Sequence, residues 1–265
     1  MCRPRLGLRG LSESISKVGF KSWAKGVSRT YKRQARFRLW DSPNLCQVLM
    51  RLSARWHESS IQPRTTFWIA GFPRCGNTFA GLLLEKTLFP ETVQYHIHLP
   101  GNIIRCIRSR KPGFMVLREP KDAAISWAIY NAWPLRRALE DYIDHHLFLE
   151  PFNSELTIAP FEWFTAEPFA LVKAAAAVTA KTTVCPEFVP GLLHEINTRI
   201  ELHWMRRDGT VNELHVARPS TLRIALRSRC ESELQNSQEV QRLLRRAEEI
   251  HTRWKKIASS AEVLV

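Results

Sequence analysis

No stretch of the sequence approaches the ~20 consecutive apolar residues that a helix needs to cross a bilayer. The basic N-terminus is not followed by an apolar run, so a cleaved secretory signal is not expected. The six cysteines (Cys2, Cys46, Cys75, Cys106, Cys185 and Cys230) include no CxxC pair and no Cys/His spacing of a zinc site. In a chain of 265 residues they read as reduced thiols of a cytoplasmic protein. The sequence also lacks an internal repeat, a low-complexity segment and a metal-ligand cluster. Aromatic and basic residues are not interleaved as in nucleic-acid-binding modules, so nucleic acid is not an expected partner. Acids are scarcest at the front, where residues 1–40 hold only Glu13 against eleven Lys and Arg.

What is present bounds the answer further. Hydrophobic residues make up 45% of the chain, enough for one sizeable core. We therefore expect a basic appendage over residues 1–56 and one catalytic domain over 57–265. The net charge of +14 suits an anionic ligand or an acidic surface. Within the appendage, Trp23, Val27 and Tyr31 recur at helical spacing among Lys and Arg. Three roles stay open for it: peripheral attachment to an acidic membrane, organelle targeting, or an arm lying on the core. A second basic cluster lies at Arg218–Arg229.

Strand-length apolar runs occur at 66–70 and 113–117, with a third strand expected over Glu155–Ala159. Between and after them, helical patterns run over 77–88, 120–132, 135–147 and 168–180. Such alternation predicts parallel βαβ units: an α/β, three-layer P-loop-type fold with a central, mostly parallel sheet flanked by helices. Residues 99–112 and 181–215 read as irregular. Val240, Leu243, Leu244, Ala247, Ile250, Trp254 and Ile257 predict an amphipathic C-terminal helix over about 231–258.

The turn Gly71-Phe-Pro-Arg-Cys-Gly76 joins the first strand to the first helix. Strand, glycine turn and helix N-terminus together make an anion site, because the first helical N–H groups lack partners and the helix dipole adds positive charge. A nucleoside triphosphatase would carry Lys at position 77, where this chain has Asn77, and the positive charge sits inside the loop at Arg74.

Phe72-Pro-Arg-Cys-Gly-Asn-Thr-Phe79 resembles the 5′-phosphosulfate loop of sulfotransferases, usually Pro-Lys/Arg-Ser-Gly-Thr/Asn-Thr-Trp. Arg118 and Ser126 are spaced like that family's 3′-phosphate motif, a strand-end Arg with Ser eight residues on. The resemblance implies sulfuryl transfer from 3′-phosphoadenosine 5′-phosphosulfate (PAPS), without a metal, to an alcohol, phenol, lipid, glycan or amine. By resemblance, Arg74, Cys75, Gly76, Asn77, Thr78 and Phe79 hold the 5′ side, and Arg118 and Ser126 the 3′-phosphate. Phe161 packs near the adenine. His98, in Tyr95-His-Ile-His-Leu-Pro100, takes the position of the general base, with His96 as its rival. The family's late Arg-Lys-Gly motif is absent; Arg218, with Arg223 and Arg227, is the expected substitute. Cys75 stands where the family has Ser, and a thiol is the weaker donor. The resemblance covers about residues 65–180. Two other readings are a P-loop kinase and a nucleotide-binding protein of the same fold without catalysis.

Overall fold

The structure is a computed structural model that describes residues 61–88, 92–179, 191–206, 208–216 and 220–261, together with Trp40, Ser42, Asn44 and Val48. Four short strands, β1 (Phe67–Gly71), β2 (Val93–Ile97), β3 (Gly113–Leu117) and β4 (Ile158–Pro160), form one sheet. Its order is β2-β1-β3-β4, and every neighbouring pair is parallel. Strands β1 and β3 are buried at every position, as expected for central strands covered on both faces. The expected α/β fold with a parallel sheet flanked by helices is the one observed.

Helix α1 (Asn77–Thr87) follows β1, and α2 (Pro100–Arg108) follows β2. Pro100 opens α2 at a first-turn position, where its missing N–H costs nothing. Residues 99–112, expected to be irregular, are therefore largely helical: Ile103, Ile104 and Cys106 are buried and anchor α2 to the core. Helices α3 (Pro120–Asn131) and α4 (Leu135–Leu149) follow β3. A 3-10 turn occupies Glu150–Glu155, so the last strand begins three residues later than the sequence suggested. Two helices follow, α5 (Phe161–Ala166) and α6 (Pro168–Thr179).

The stretch 181–215 also departs from expectation. Residues 192–203 form helix α7 (Leu192–His203), which buries Leu192 and Ile196 and packs against α1. Two ion pairs tie α7 to α1, Lys86–Glu195 at 2.7 Å and Arg199–Glu85 at 3.2 Å. Near the C-terminus, α8 (Thr221–Asn236) and α9 (Gln238–Ala261) are separated at Ser237. Helix α9 lies against α4, β3 and β4 and buries Val240, Ala247, Ile250 and Trp254. Among the described residues, no helix is long and apolar enough to cross a membrane.

This topology fixes where a ligand can sit. The chain leaves β1 toward β2 on one side, then crosses to β3 on the other. The carboxyl ends of β1 and β3 therefore face a crevice at the point where strand order reverses. Gly71 pairs in register with Val116, which brings the 71–76 loop beside Arg118.

Candidate functional site

A cavity of 1510 Å³ opens over this crevice. One end is lined by Arg74, Gly76, Asn77, Thr78 and Phe79 of the loop and α1, by Arg118 and Ser126, and by Phe161 and Arg223. Sequence-predicted residues from four separate segments thus meet in one space. Arg218 lies outside the described residues.

Two glycines are required by the loop's geometry. Gly71 has φ 149°, and a Cβ there would stand 2.6 Å from the Val116 carbonyl oxygen. Gly76 has φ 89°, and its Cβ would meet the Phe161 ring at 2.8 Å. Arg74 adopts φ 70° without being glycine, a strained conformation that costs on the order of 1–3 kcal/mol and tends to be kept at functional sites. The first helical bond of α1 runs from Ala80 N–H to Gly76 O at 3.0 Å. No side chain caps this N-terminus, so the N–H groups of Asn77, Thr78 and Phe79 precede the ladder beside the cavity. The Cys75 side chain does not line the cavity: it is fully buried, and burial pushes its thiol up to about 12.

Three guanidinium groups converge here. Arg74 Nε donates to Ser126 Oγ at 3.3 Å, and Arg223 Nη2 donates to the same oxygen at 3.2 Å. Arg118 Nη1 donates to the Arg74 carbonyl at 2.8 Å and lies over the Phe161 ring, 4.3 Å from its centroid. The nearby carboxylates are engaged elsewhere. Asp122 pairs with Arg227 at 2.8 Å, and Glu119 with His251 and Lys255 at 3.2 and 3.6 Å. Among the described residues, no carboxylate forms an ion pair with Arg74, Arg118 or Arg223. Arg74 Nη2 and Arg118 Nε are buried without an acceptor. Burial, Arg223 and Arg118 together lower the Arg74 guanidinium to about 10. Clustered, uncompensated positive charge with orphaned donors costs free energy, and an anion is what would offset it.

His98 stands at the end of β2, against the loop. Its Nδ1 is 2.9 Å from the Gly71 carbonyl oxygen and 3.1 Å from Asn77 Nδ2; the shorter contact is to a group that can only accept, which favours the tautomer with the proton on Nδ1 and the lone pair on Nε2. Asn77 Nδ2 donates to the same carbonyl at 3.3 Å. Burial first, then Arg74, lower His98 to about 4, while the Gly71 bond opposes them. His96 does not continue an extended strand. It has φ 68°, and the β1–β2 register shifts there. His96 is not withdrawn into the core. Instead it lines the cavity, its ring centroid 6.0 Å from that of His98 and 6.2 Å from that of His203.

Several residues of this cavity escaped sequence reasoning. Ile200, His203 and Trp204 come from α7 and its end; the Leu192, Ile196, Ile200 spacing was its signal. Trp40, inside the expected appendage, is 5% exposed, lines the cavity and packs edge-on to Phe148 at 5.2 Å. The rest of residues 1–39 lies outside the described residues. Among the described residues, no group of three or more His, Cys, Asp or Glu is arranged to hold a metal.

The imidazoles of His98, at the site, and of the buried His145 and His146 have a measurable consequence. Burial holds His98 near 4, His146 near 3 and His145 well below the usual histidine range. Each native pKa lies below its unfolded value near 6.5, so the unfolded chain binds protons the native one refuses. Stability is thus complete above about pH 6.5 and falls as pH drops toward 4. Well below the unfolded value, each group that stays neutral in the native chain removes on the order of 1 kcal/mol per pH unit. Urea unfolding at pH 7.5, 6.5 and 5.5 should show this decline, and His146→Phe should make it shallower by about a third. A stability that stays level down to pH 5 contradicts it.

No protein-family model matches the sequence, and no curated protein does. Among solved structures, the chain is similar to a crystal structure of mouse sulfotransferase SULT7A1 complexed with PAP. The match has 11% identity, covers 71% of this chain and 90% of that one, and has a TM-score of 0.38.

Proposed function

We propose that the chain is a sulfotransferase that moves the sulfuryl group of PAPS to a hydroxyl or amine acceptor. One observation carries the reading: at the strand-end crevice Arg74 and Arg223 both donate to Ser126, Arg118 donates to the Arg74 carbonyl, and among the described residues none of the three is paired with a carboxylate. A ligand with phosphate at two ends of a nucleoside suits this arrangement better than one with phosphates in a single row. In this reading the uncapped α1 N-terminus and Arg74 take the 5′-phosphosulfate. Arg118, Ser126 and Arg223 take the 3′-phosphate, and Arg223 fills the role expected of the missing late motif. Phe161, already flat against Arg118, offers its other edge to the adenine.

In the transfer, the acceptor oxygen or nitrogen forms a bond to sulfur as the bond from sulfur to the 5′-phosphate oxygen breaks. The electron pair of that bond stays on the 5′-phosphate. His98 Nε2 takes the acceptor's proton. Arg74 and the loop amides offset the charge growing on the leaving phosphate, which is electrostatic stabilisation of the transition state. The 3′ clamp contributes position.

The test is calorimetry with adenosine 3′,5′-bisphosphate, ATP and adenosine 5′-phosphosulfate. The bisphosphate should bind at least 10-fold more tightly than either. Arg118→Ala should weaken it 10- to 100-fold, the equivalent of about 1.5–3 kcal/mol, and leave ligands without a 3′-phosphate nearly unchanged. Equal affinity for ATP would turn the assignment toward a kinase or triphosphatase.

A further inference from the structure

The proposed transfer uses one imidazole of the cavity, and a second is left over. His145 lies on α4, is 3% exposed and lines the same cavity as His98. The buried face of α4 carries the aliphatic Leu135, Leu139, Ile143 and Leu149, with the polar Tyr142, Asp144 and His146 beside them. An aliphatic side chain at 145 would continue it without leaving a polar atom unpaired. Instead the imidazole packs edge-on to Phe72 at 5.6 Å, and its Nε2 is buried with no hydrogen-bond partner. A neutral imidazole has one donor and one acceptor nitrogen, and each seeks a partner. The adjacent His146 also leaves Nε2 unpaired, but its Nδ1 is 2.8 Å from the Tyr142 carbonyl oxygen and it does not line the cavity. His145 is therefore the buried histidine of α4 that a ligand can reach.

The surroundings say what kind of ligand. Trp40, Phe72 and Trp127 give this end of the cavity aromatic walls. Asp141, one turn before His145, lines it too, and accepts from Trp127 Nε1 at 3.5 Å. His98 and His145 both line this cavity, and Phe72, packed on His145, lines it as well. We propose that His145 is a second acceptor-binding residue, hydrogen-bonding a polar group of the acceptor other than the one that receives the sulfuryl group. The acceptor is then a flat, apolar body with at least two polar groups, one at His98 and one at His145. This rests on the sulfuryl-transfer reading.

Catechol, resorcinol and hydroquinone serve as probes because their second hydroxyl stands at three different distances from the first; phenol is the control. Each is titrated calorimetrically into protein saturated with adenosine 3′,5′-bisphosphate, and into protein alone. At least one diol should bind 10-fold more tightly than phenol. His145→Leu should bring that diol down to the affinity of phenol while leaving bisphosphate affinity within twofold, and His145→Gln, which keeps a hydrogen-bonding group, should retain part of the preference. Thermal melts establish that both variants fold. The proposal is overturned if no diol exceeds phenol, or if both variants keep the full preference. Failure of the bisphosphate to bind defeats the sulfuryl-transfer reading instead, and the titrations into protein alone still decide the role of His145.

Discussion

Replacing Arg74 with glycine is expected to raise the Tm of the ligand-free protein and, at the same time, to abolish binding of adenosine 3′,5′-bisphosphate. The first half follows from what Arg74 endures without a ligand. Its φ of 70° costs on the order of 1–3 kcal/mol for a residue with a Cβ and almost nothing for glycine. Its guanidinium is held at about 10, below the ordinary arginine range, by burial and by Arg223 and Arg118. That is on the order of 3 kcal/mol against the charged form. Opposing these, the variant loses the hydrogen bond to Ser126 and the ring contact with Tyr130 at 5.3 Å. Each is worth about 0.5–1.5 kcal/mol, and glycine adds roughly 0.5–1 kcal/mol of chain entropy to the unfolded state. The balance favours the variant by about 2 kcal/mol, or a few degrees.

The second half follows from the same strain. A dianionic group beside Arg74 offsets its burial and repulsion, so part of the ligand's affinity comes from discomfort stored in the empty site. Scanning calorimetry with and without saturating bisphosphate reads both effects. At 100 times its Kd the ligand adds about 2.7 kcal/mol to the natural protein and nothing to the variant. The two curves should therefore cross: variant above natural protein when empty, below it when loaded. An Arg74→Gly protein that melts lower when empty would mean that the loop depends on the guanidinium for its shape. Arg74→Ala separates the two causes, since it relieves the charge and keeps the positive φ.

How much of this was legible beforehand depended on how local each signal was. Strand β1, the loop and α1 are continuous in sequence, and hydrophobic runs, glycines and an uncapped helix start are local marks. The spacing of Arg118 and Ser126 is local too. Arg223 reaches Ser126 across 97 positions, and nothing in its own neighbourhood announces that. Helix α7 was hidden because Pro186, Pro190 and Gly209 dominate the reading of 181–215, although Gly191 opens a regular run of Leu192, Ile196 and Ile200. His96 misled for a different reason. Side-chain alternation assumes negative φ throughout a strand, and at His96 the backbone turns to φ 68° with a register shift. Trp40 and His145 carry no motif. They belong to the site because the fold brings them to the cavity, and only burial reveals them.

The largest kinetic effect is expected at His98. A general base supplies about 10² to 10⁴ in rate, so His98→Ala should lower turnover within that range. Affinity for adenosine 3′,5′-bisphosphate should stay within about threefold, because in the proposed transfer the imidazole meets the acceptor and not the nucleotide. What distinguishes a base from a structural histidine here is the pH profile. His98 is held near 4 in the ligand-free protein, mainly by burial, with Arg74 adding to it. The neutral form, with its Nε2 lone pair set by the Nδ1–H bond to Gly71, is therefore the resting state far below pH 6.5. The profile of kcat/KM, which reports the free enzyme, should therefore show no acid limb near 6.5 and stay level down to the onset of acid unfolding. The acid limb of kcat, which reports the loaded enzyme, should lie higher, because a bound sulfuryl anion beside Arg74 cancels part of the charge that depresses the imidazole. Measurements above the acid-unfolding range, with brief exposure to each pH, keep the two processes apart. His96→Ala should retain turnover within tenfold. If His98→Ala turns over at nearly the natural rate, or if both profiles break at pH 6.5, the proton goes elsewhere, and His96, 6.0 Å away and facing the same cavity, becomes the base.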